Sequence, residues 1–361
     1  NKGRSVFVVS EEGLLEGVLT DGDLRRWLTS TQDIDFTLSV SSIMNKDFVF
    51  ASIEEEKTVL NDLLDTKIKA LPLVDSKKRL VAVAVNSFNE YEIEGRLINK
   101  DSSSFIIAEI GNNHNGSLEF ARELVDEAIL SGADCVKFQM RDMGELYGDS
   151  LSGDMGNVDL GTQYTLELLK KFQLSDEELF EIFDYVRAKG SIPLCTPWDI
   201  KSLNKLENYN LDAYKVASAD FTNFKLIEAI ASTGKLMICS TGMATEKEIR
   251  QGIKFIKKLG CPHVLLHCNS TYPAPFKDIN LSYIDHLAKL SKGLVGYSGH
   301  ERDINISIAA VALGAKVIEK HFTLDKSMEG NDHKVSLLPD EFKRMVEGIR
   351  QVEESLQTSL E

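Results

Sequence analysis

From Phe105 onward the chain repeats one alternation eight times: a short β-rich run, then a stretch with helical periodicity. The β-rich runs are 105–110, 134–140, 192–195, 213–218, 236–241, 263–269, 294–298 and 317–322. Between them lie LEFARELVDEAILSG, DEELFEIFDYVRAKG, NFKLIEAIASTG, TEKEIRQGIKFIKKLG and NISIAAVALG. Each ends in glycine, which accepts the left-handed conformation that stops a helix. Apolar strands joined through helices predict a parallel sheet covered on both faces. Eight such units in about 250 residues are the content of a (β/α)8 TIM barrel. An open, doubly wound sheet is the competing arrangement, and the unit count favours the barrel.

The first 98 residues follow a different grammar. SVFVVSEEGLLEGVLTDGDLRRWL reads as strand, turn, strand and helix. ASIEEEKTVLNDLLDTKIKALPLVDSKKRLVAVAV reads as helix, strand ALPLVD, turn SKK and strand RLVAVAV. The shared strand–turn–strand unit is an imperfect internal repeat. The polar segment EGRLINKDSSS (94–104) reads as connecting chain. The expected organisation is a small α/β domain over 1–98, a linker over 99–104 and the barrel over 105–361.

Composition narrows the function. The formal net charge of −15 argues against a nucleic-acid binder, which needs a basic stripe. Small anionic substrates need only a few local cations and stay open. No run approaches the ~20 apolar residues of a membrane span, and no signal peptide is visible. The five cysteines include no CxxC pair, which fits a reducing cytoplasm better than a disulfide framework or a thiolate zinc site. The chain opens at Asn1 rather than Met, as a trimmed sequence would.

In barrels of this kind the chemistry sits at the carboxyl ends of the strands. Those ends carry Glu109; Lys137 and Gln139; Thr196; Lys215, Ser218 and Asp220; Ser240 and Thr241; His267, Ser270 and Tyr272; Ser298 and His300; and Glu319 and His321. Buried ions cost several kcal/mol each without partners, so two lysines converging with acids and histidines point to an anionic substrate and a metal. Structural readings compete at several positions. Lys137 can pair with Glu109, and Ser240 and Thr241 can form a turn or present donors to a phosphate. His267 lies mid-strand, where a satisfied core histidine is the plainer reading. His300 and His321 end successive strands and form the better metal pair, suited to Mn²⁺, Zn²⁺ or Fe²⁺. Asp332, in the glycine- and acid-bearing loop 321–337, can reach such a metal or its water.

Two resemblances follow from these motifs. GVLTDGDLRR (17–26), IMNKD (43–47) and ALPLVDSKKRLVAV (70–83) resemble a CBS-domain pair whose first repeat lacks its opening helix and strand. That resemblance implies a nucleotide site at Thr20 and Asp23, with a cytidine or adenine nucleotide, or a CMP-sugar, as ligand. The alternative is that the same residues cap a helix. FIIAEIGNNHNGS, ADCVKFQ, CTPWD, YKVASAD, CSTGMAT, LLHCNSTYPAP, GYSGHE and IEKHFTLDKSMEGNDHKVSL run in family order and resemble the N-acetylneuraminate (sialic acid) synthase family over 105–357.

The second resemblance implies a cytoplasmic carbon–carbon-bond-forming transferase acting as a homodimer. Phosphoenolpyruvate would condense with the open-chain aldehyde of an N-acyl hexosamine such as N-acetylmannosamine, giving a nine-carbon 2-keto-3-deoxy acid and phosphate. It implies Mn²⁺ or Mg²⁺ on His300 and His321, polarising the aldehyde oxygen. Glu109 is implied as a proton-transfer group, with Asp332 near the metal-bound water. Lys137, Thr196, Lys215, Ser240, Ser270 and Ser298 are implied to hold phosphoenolpyruvate, and Gln139, Asp220 and Tyr272 the sugar. The sequence departs from the family at Asp220, where glutamate is frequent, at Ser270, where asparagine is common, and at Gly299, where an SDH motif has aspartate. The antifreeze-like domain that usually follows the barrel is absent from this chain. Pseudaminic or legionaminic acid synthesis fits the same barrel. Another phosphoenolpyruvate-dependent 3-deoxy-ulosonate synthase, or an inactive nucleotide-sensing protein, remains the alternative.

Overall fold

The structure is a computed structural model that describes residues 5–30, 35, 37–56, 59–60, 63–64, 68, 70–85, 90–147 and 166–357. The chain divides into two compact units, Asn1–Ser87 and Phe88–Glu361.

The amino-terminal unit is built from two matching hairpins. Strand β1 (Ser5–Val9) pairs antiparallel with β2 (Leu15–Thr20), with a register shift at Val8/Val9. After the short β3 (Ala51–Ser52), strand β4 (Ala70–Val74) pairs antiparallel with β5 (Leu80–Val85), with the same shift at Leu73/Val74. In each hairpin a strand of five residues precedes one of six. The two turns pair with each other through Leu15 N–H to Lys78 O (3.1 Å) and Leu80 N–H to Gly13 O (3.0 Å). The internal repeat read from sequence is thus a geometric one. Of the stretch before ALPLVD that was read as a helix, Ala51–Ser52 instead form β3 and pair with β4, residues 59, 60 and 63 are helical, and 57–58, 61–62, 65–67 and 69 lie outside the described residues.

The second unit opens with strands β6 (Glu90–Ile93) and β7 (Arg96–Asn99), a hairpin that begins within the expected first domain and runs into the polar segment 94–104. Its alternation was obscured by flanking polar residues. Tyr91, Ile93 and Ile98 are buried and pack with residues lining one end of the barrel. The Tyr91 hydroxyl donates to His263 O at 2.9 Å, and Glu94 accepts from Arg187 Nε at 2.8 Å. Residues 90–98, expected with the first domain, therefore plug the barrel floor.

Eight parallel strands close the barrel: β8 (Phe105–Gly111), β9 (Cys135–Met140), β10 (Ile192–Pro197), β11 (Ala213–Val216), β12 (Leu236–Ser240), β13 (His263–Cys268), β14 (Val295–Gly299) and β15 (Val317–His321), with β15 beside β8. Closure excludes the open doubly wound sheet. Between them run helices capped as the sequence suggests, including reciprocal capping boxes at Ser175/Glu178 and Thr245/Glu248.

Side chains alternate across a strand, and here the alternation sorts chemistry. Outward residues such as Ile106, Val136, Tyr214, Met237 and Ile318 join the apolar layer under the helices. Inward residues from the amino-terminal half, such as Phe105, Ile107, Leu194, Ile238 and Leu266, fill the lower barrel with the hairpin. The next inward position is polar on strand after strand: Glu109, Lys137, Thr196, Lys215, Ser240, Ser298 and Glu319. The site is therefore the top layer of a packed interior.

Gly296 lies in the lower layer, where a Cβ would stand 2.2 Å from Val317 O and 2.5 Å from Leu266 Cδ2. Gly296→Ala is expected to destabilise the protein by about 3 kcal/mol or more. An unchanged thermal midpoint would show that β14 and β15 can separate to admit a methyl group.

Candidate active site

The polar layer opens into a cavity of about 390 Å³ at the carboxyl ends of the strands. Glu109, Lys137, Gln139, Thr196, Lys215, Ser240, Ser270, Tyr272, Ser298, His300, His321 and Asp332 all line it, as do Arg141, Trp198 and Glu319. Asp220 is the expected site residue of the barrel that does not: Ala217, Ser218 and Ala219 form the wall there. Asp220 accepts from Asn223 at 3.0 Å, while its Oδ2 is buried without a hydrogen-bond partner.

Four buried charges alternate around the mouth. Lys137 Nζ lies 2.7 Å from Glu109 Oε2 and 3.8 Å from Glu319 Oε1. Lys215 Nζ lies 4.0 Å from Glu319 Oε2. Each ammonium also donates to a hydroxyl, Lys137 to Thr196 Oγ1 at 3.0 Å and Lys215 to Ser240 Oγ at 2.7 Å. Ser298 Oγ donates to Glu319 Oε1 at 3.3 Å. The four chains carry two charges of each sign, so burial is tolerated through pairing.

Their proton affinities separate. Burial, with the Glu319 charge, pushes the Glu109 carboxyl up to about 7 against the pull of Lys137. Burial pushes Glu319 up, but Lys137, Lys215 and the two histidines His321 and His300 outweigh it and hold the carboxyl below its ordinary range. Lys137 is raised: its burial is overcome by Glu109 and Glu319. Lys215 is lowered by burial, with the Lys137 charge adding to it. One acid poised near neutrality beside one kept ionised is a division suited to proton transfer.

Gln139 ties this layer to the rim. Its amide donates to Glu109 Oε1 at 2.7 Å, and its Oε1 accepts from Trp198 Nε1 at 3.2 Å and from Arg141. The Arg141 guanidinium lies over the Trp198 ring, 4.6 Å from its centroid. Arg141, Trp198 and Glu319 were not among the residues assigned roles from sequence. Inward parity two and four residues from Lys137 and two before His321 was the signal that marks Gln139, Arg141 and Glu319 together.

The two strand-end histidines converge. Tyr272 Oη lies 2.8 Å from His300 Nε2 and 3.4 Å from His321 Nε2. His300 Nδ1 is 2.6 Å from Asn269 O, so Nδ1 carries a proton, and a neutral His300 would present its lone pair at Nε2; burial lowers the proton affinity of this ring, but Cys268 and the Asn269 carbonyl outweigh it and raise it. Burial first, then the neighbouring positive charges, hold His321 well below its usual range as a neutral imidazole. Its Nδ1 is buried without a hydrogen-bond partner. This pair fits a divalent metal as a two-point protein site. Among the described residues no three His, Cys, Asp or Glu side chains are grouped as metal ligands, leaving the other positions to water or substrate.

His267 and His114 are structural. His267 faces outward, with Nε2 2.6 Å from Ile279 O. His114 is buried and lowered to about 4, and its Nδ1 accepts the Gly116 N–H at 3.1 Å. Thr20 and Asp23, in the other unit, cap the helix Asp21–Ser30: Asp23 Oδ2 accepts from Thr20 N (2.8 Å) and Oγ1 (2.6 Å). That is the capping arrangement weighed above against a nucleotide site.

Fold and site together define a class, the (β/α)8 barrel with a paired lysine–glutamate layer at the carboxyl ends of its strands. Within that class the chain belongs to the NeuB family, whose sequence model matches residues 124–361. It is 40% identical over 260 residues to N,N'-diacetyllegionaminic acid synthase of Campylobacter jejuni, covering 70% of this chain and 77% of that one. It is 36% identical over 264 residues to human N-acetylneuraminate-9-phosphate synthase, covering 73% and 74%. The crystal structure of N-acetylneuraminic acid synthetase from Leptospira borgpetersenii, in complex with citrate, aligns with a TM-score of 0.69 and 33% identity, over 76% of this chain and 92% of that one. Among the described residues no helix is long and apolar enough to cross a membrane.

The raised Glu109 carboxyl can be read directly. In infrared difference spectra between the wild type and Glu109→Gln, the protonated-carboxyl band is expected below pH 7 and lost above it, with a midpoint near 7. A midpoint at or below 4.5 would show that Lys137 offsets or outweighs burial.

Proposed function

We propose that the barrel condenses phosphoenolpyruvate with the aldehyde of an N-acyl hexosamine, forming a nine-carbon 2-keto-3-deoxy acid and releasing phosphate. The observation that carries this reading is the buried Glu109–Lys137–Glu319–Lys215 alternation, with a hydroxyl on each lysine. Two buried ammonium groups supply the local positive field a phosphorylated enolate needs, despite the acidic whole chain. Thr196, Ser240, Ser270 and Ser298 add hydroxyls without adding charge.

Carbon three of phosphoenolpyruvate attacks the aldehyde carbon, water adds at C2, and the resulting tetrahedral centre expels phosphate. Glu109, poised near 7, takes the proton released when water adds at C2, and a proton is returned to the alkoxide formed from the aldehyde oxygen. Gln139 holds the Glu109 carboxylate and presents the rim, with Arg141 and Trp198, to the acceptor sugar. His300 and His321 would hold a divalent cation, Mn²⁺ or Mg²⁺, which when bound polarises the acceptor's carbonyl as a Lewis acid. The matching hairpins of the amino-terminal unit support a CBS-type regulatory module, with a nucleotide or CMP-sugar as its proposed ligand.

Phosphate release in the presence of phosphoenolpyruvate and N-acetylmannosamine, its 6-phosphate or a diacetamido hexose tests the assignment. One of these acceptors should support turnover, and a chelator should abolish it reversibly. Release of phosphate with none of them would sink the reading. With the active acceptor, Glu109→Gln should lower kcat by roughly 10²–10⁴, and a change below tenfold would remove Glu109 from the proton-transfer role.

A further inference from the structure

Among the outward-facing side chains of the barrel strands, one is a lysine. Lys320, immediately before His321, is fully buried on the helix side of β15, where its neighbours in parity are Ile318 and Phe322. Its ammonium is satisfied by a single residue of the adjacent strand end. Lys320 Nζ donates to Glu301 Oε1 at 2.6 Å and to the Glu301 carbonyl at 2.6 Å. Glu301 is also fully buried, and its other oxygen accepts from the Tyr297 hydroxyl at 2.7 Å. Glu301 immediately follows His300. A buried ion pair thus ties the residue after one histidine to the residue before the other.

The space for this carboxylate is created by Gly299. Gly299 is the register partner of Lys320. A Cβ on residue 299 would lie 2.8 Å from both Glu301 carboxylate oxygens and 2.8 Å from Tyr297 Cε1. An acid on residue 299 would put its own carboxylate into the volume that Glu301 now fills. Buried charges must be paired, so Lys320 needs one carboxylate there, and either residue can carry it.

We propose that the Glu301–Lys320 pair is a positioning element that fixes His300 and His321 relative to each other, and that Gly299 is glycine because Glu301 supplies the carboxylate. Neither residue touches the cavity, so the pair acts through the histidines. The metal aspect of this inference rests on the functional reading above. The coupling of the two strand ends does not.

The test uses three full-length variants, Glu301→Ala, Gly299→Asp and the double variant G299D/E301A. It reads the histidine side-chain ¹⁵N–¹H signals of the metal-free protein and the affinity for Mn²⁺ by electron paramagnetic resonance. Glu301→Ala should shift the His300 and His321 ring signals and weaken Mn²⁺ binding at least tenfold, the scale expected for groups that orient metal ligands. Gly299→Asp, which crowds two carboxylates, should be less stable than the wild type. The double variant should return both ring signals towards wild-type positions and Mn²⁺ affinity to within fivefold. Unmoved ring signals in a folded Glu301→Ala protein would overturn the proposal. So would a double variant that fails to fold or leaves the signals shifted. If Glu301→Ala does not fold, the double variant decides alone. If the wild type binds no Mn²⁺, the functional reading fails, while the ring signals still decide whether the pair positions the histidines.

Discussion

The mouth of this barrel depends on charge pairing. Lys137 and Lys215 are 3% and 2% exposed, and Glu109 and Glu319 are nearly as buried. Any one of them alone would carry a desolvation cost of several kcal/mol. Set in alternation, with hydroxyls on the ammonium groups, they form a buried polar layer whose charges are paired. The apolar layers beneath exclude water from below, and the hairpin 90–99 closes the floor.

That arrangement also explains why two similar carboxyls behave differently. Glu319 sits between two lysines and stays ionised. Glu109 shares Lys137 and feels the Glu319 charge, so burial prevails and its carboxyl rises towards neutrality. The additional positive neighbours of Glu319 separate a fixed counter-charge from a group able to exchange a proton near pH 7. A second buried ion pair, Lys320 with Glu301, lies outside the barrel wall behind the histidines. The polar layer is thus backed on its outer side at the point where His300 and His321 meet.

Much of this was legible in the chain. Strand runs, helix stops and the inward acid or lysine two residues beyond apolar partners (Ile107 then Glu109, Cys135 then Lys137) follow from local periodicity. The hairpin over 90–99 was not read as such, residues up to 98 being placed with the first domain and 94–104 read as polar connecting chain, because its apolar residues are few and its partner surface, the barrel floor, is distant in sequence. Arg141 was passed over because it follows the strand, where a charged residue is unremarkable until Trp198 and Gln139 are seen beside it. Asp220 was expected at the sugar, but the short turn Ser218–Asp220 carries it past the wall.

Alone, the sequence determined the number and kind of units, the side-chain parity of each strand and the identities of the polar layer, because these depend on spacing along the chain. Tertiary structure decided which charge pairs with which, because pairing depends on strand order around a closed sheet. It decided that Tyr272 lies between two histidines, that His267 faces away, and that Glu109 rather than Glu319 is poised near neutrality. It also decided what Gly299 is for. In the sequence it is a missing side chain, and in the barrel it is the space that admits the Glu301 carboxylate to Lys320.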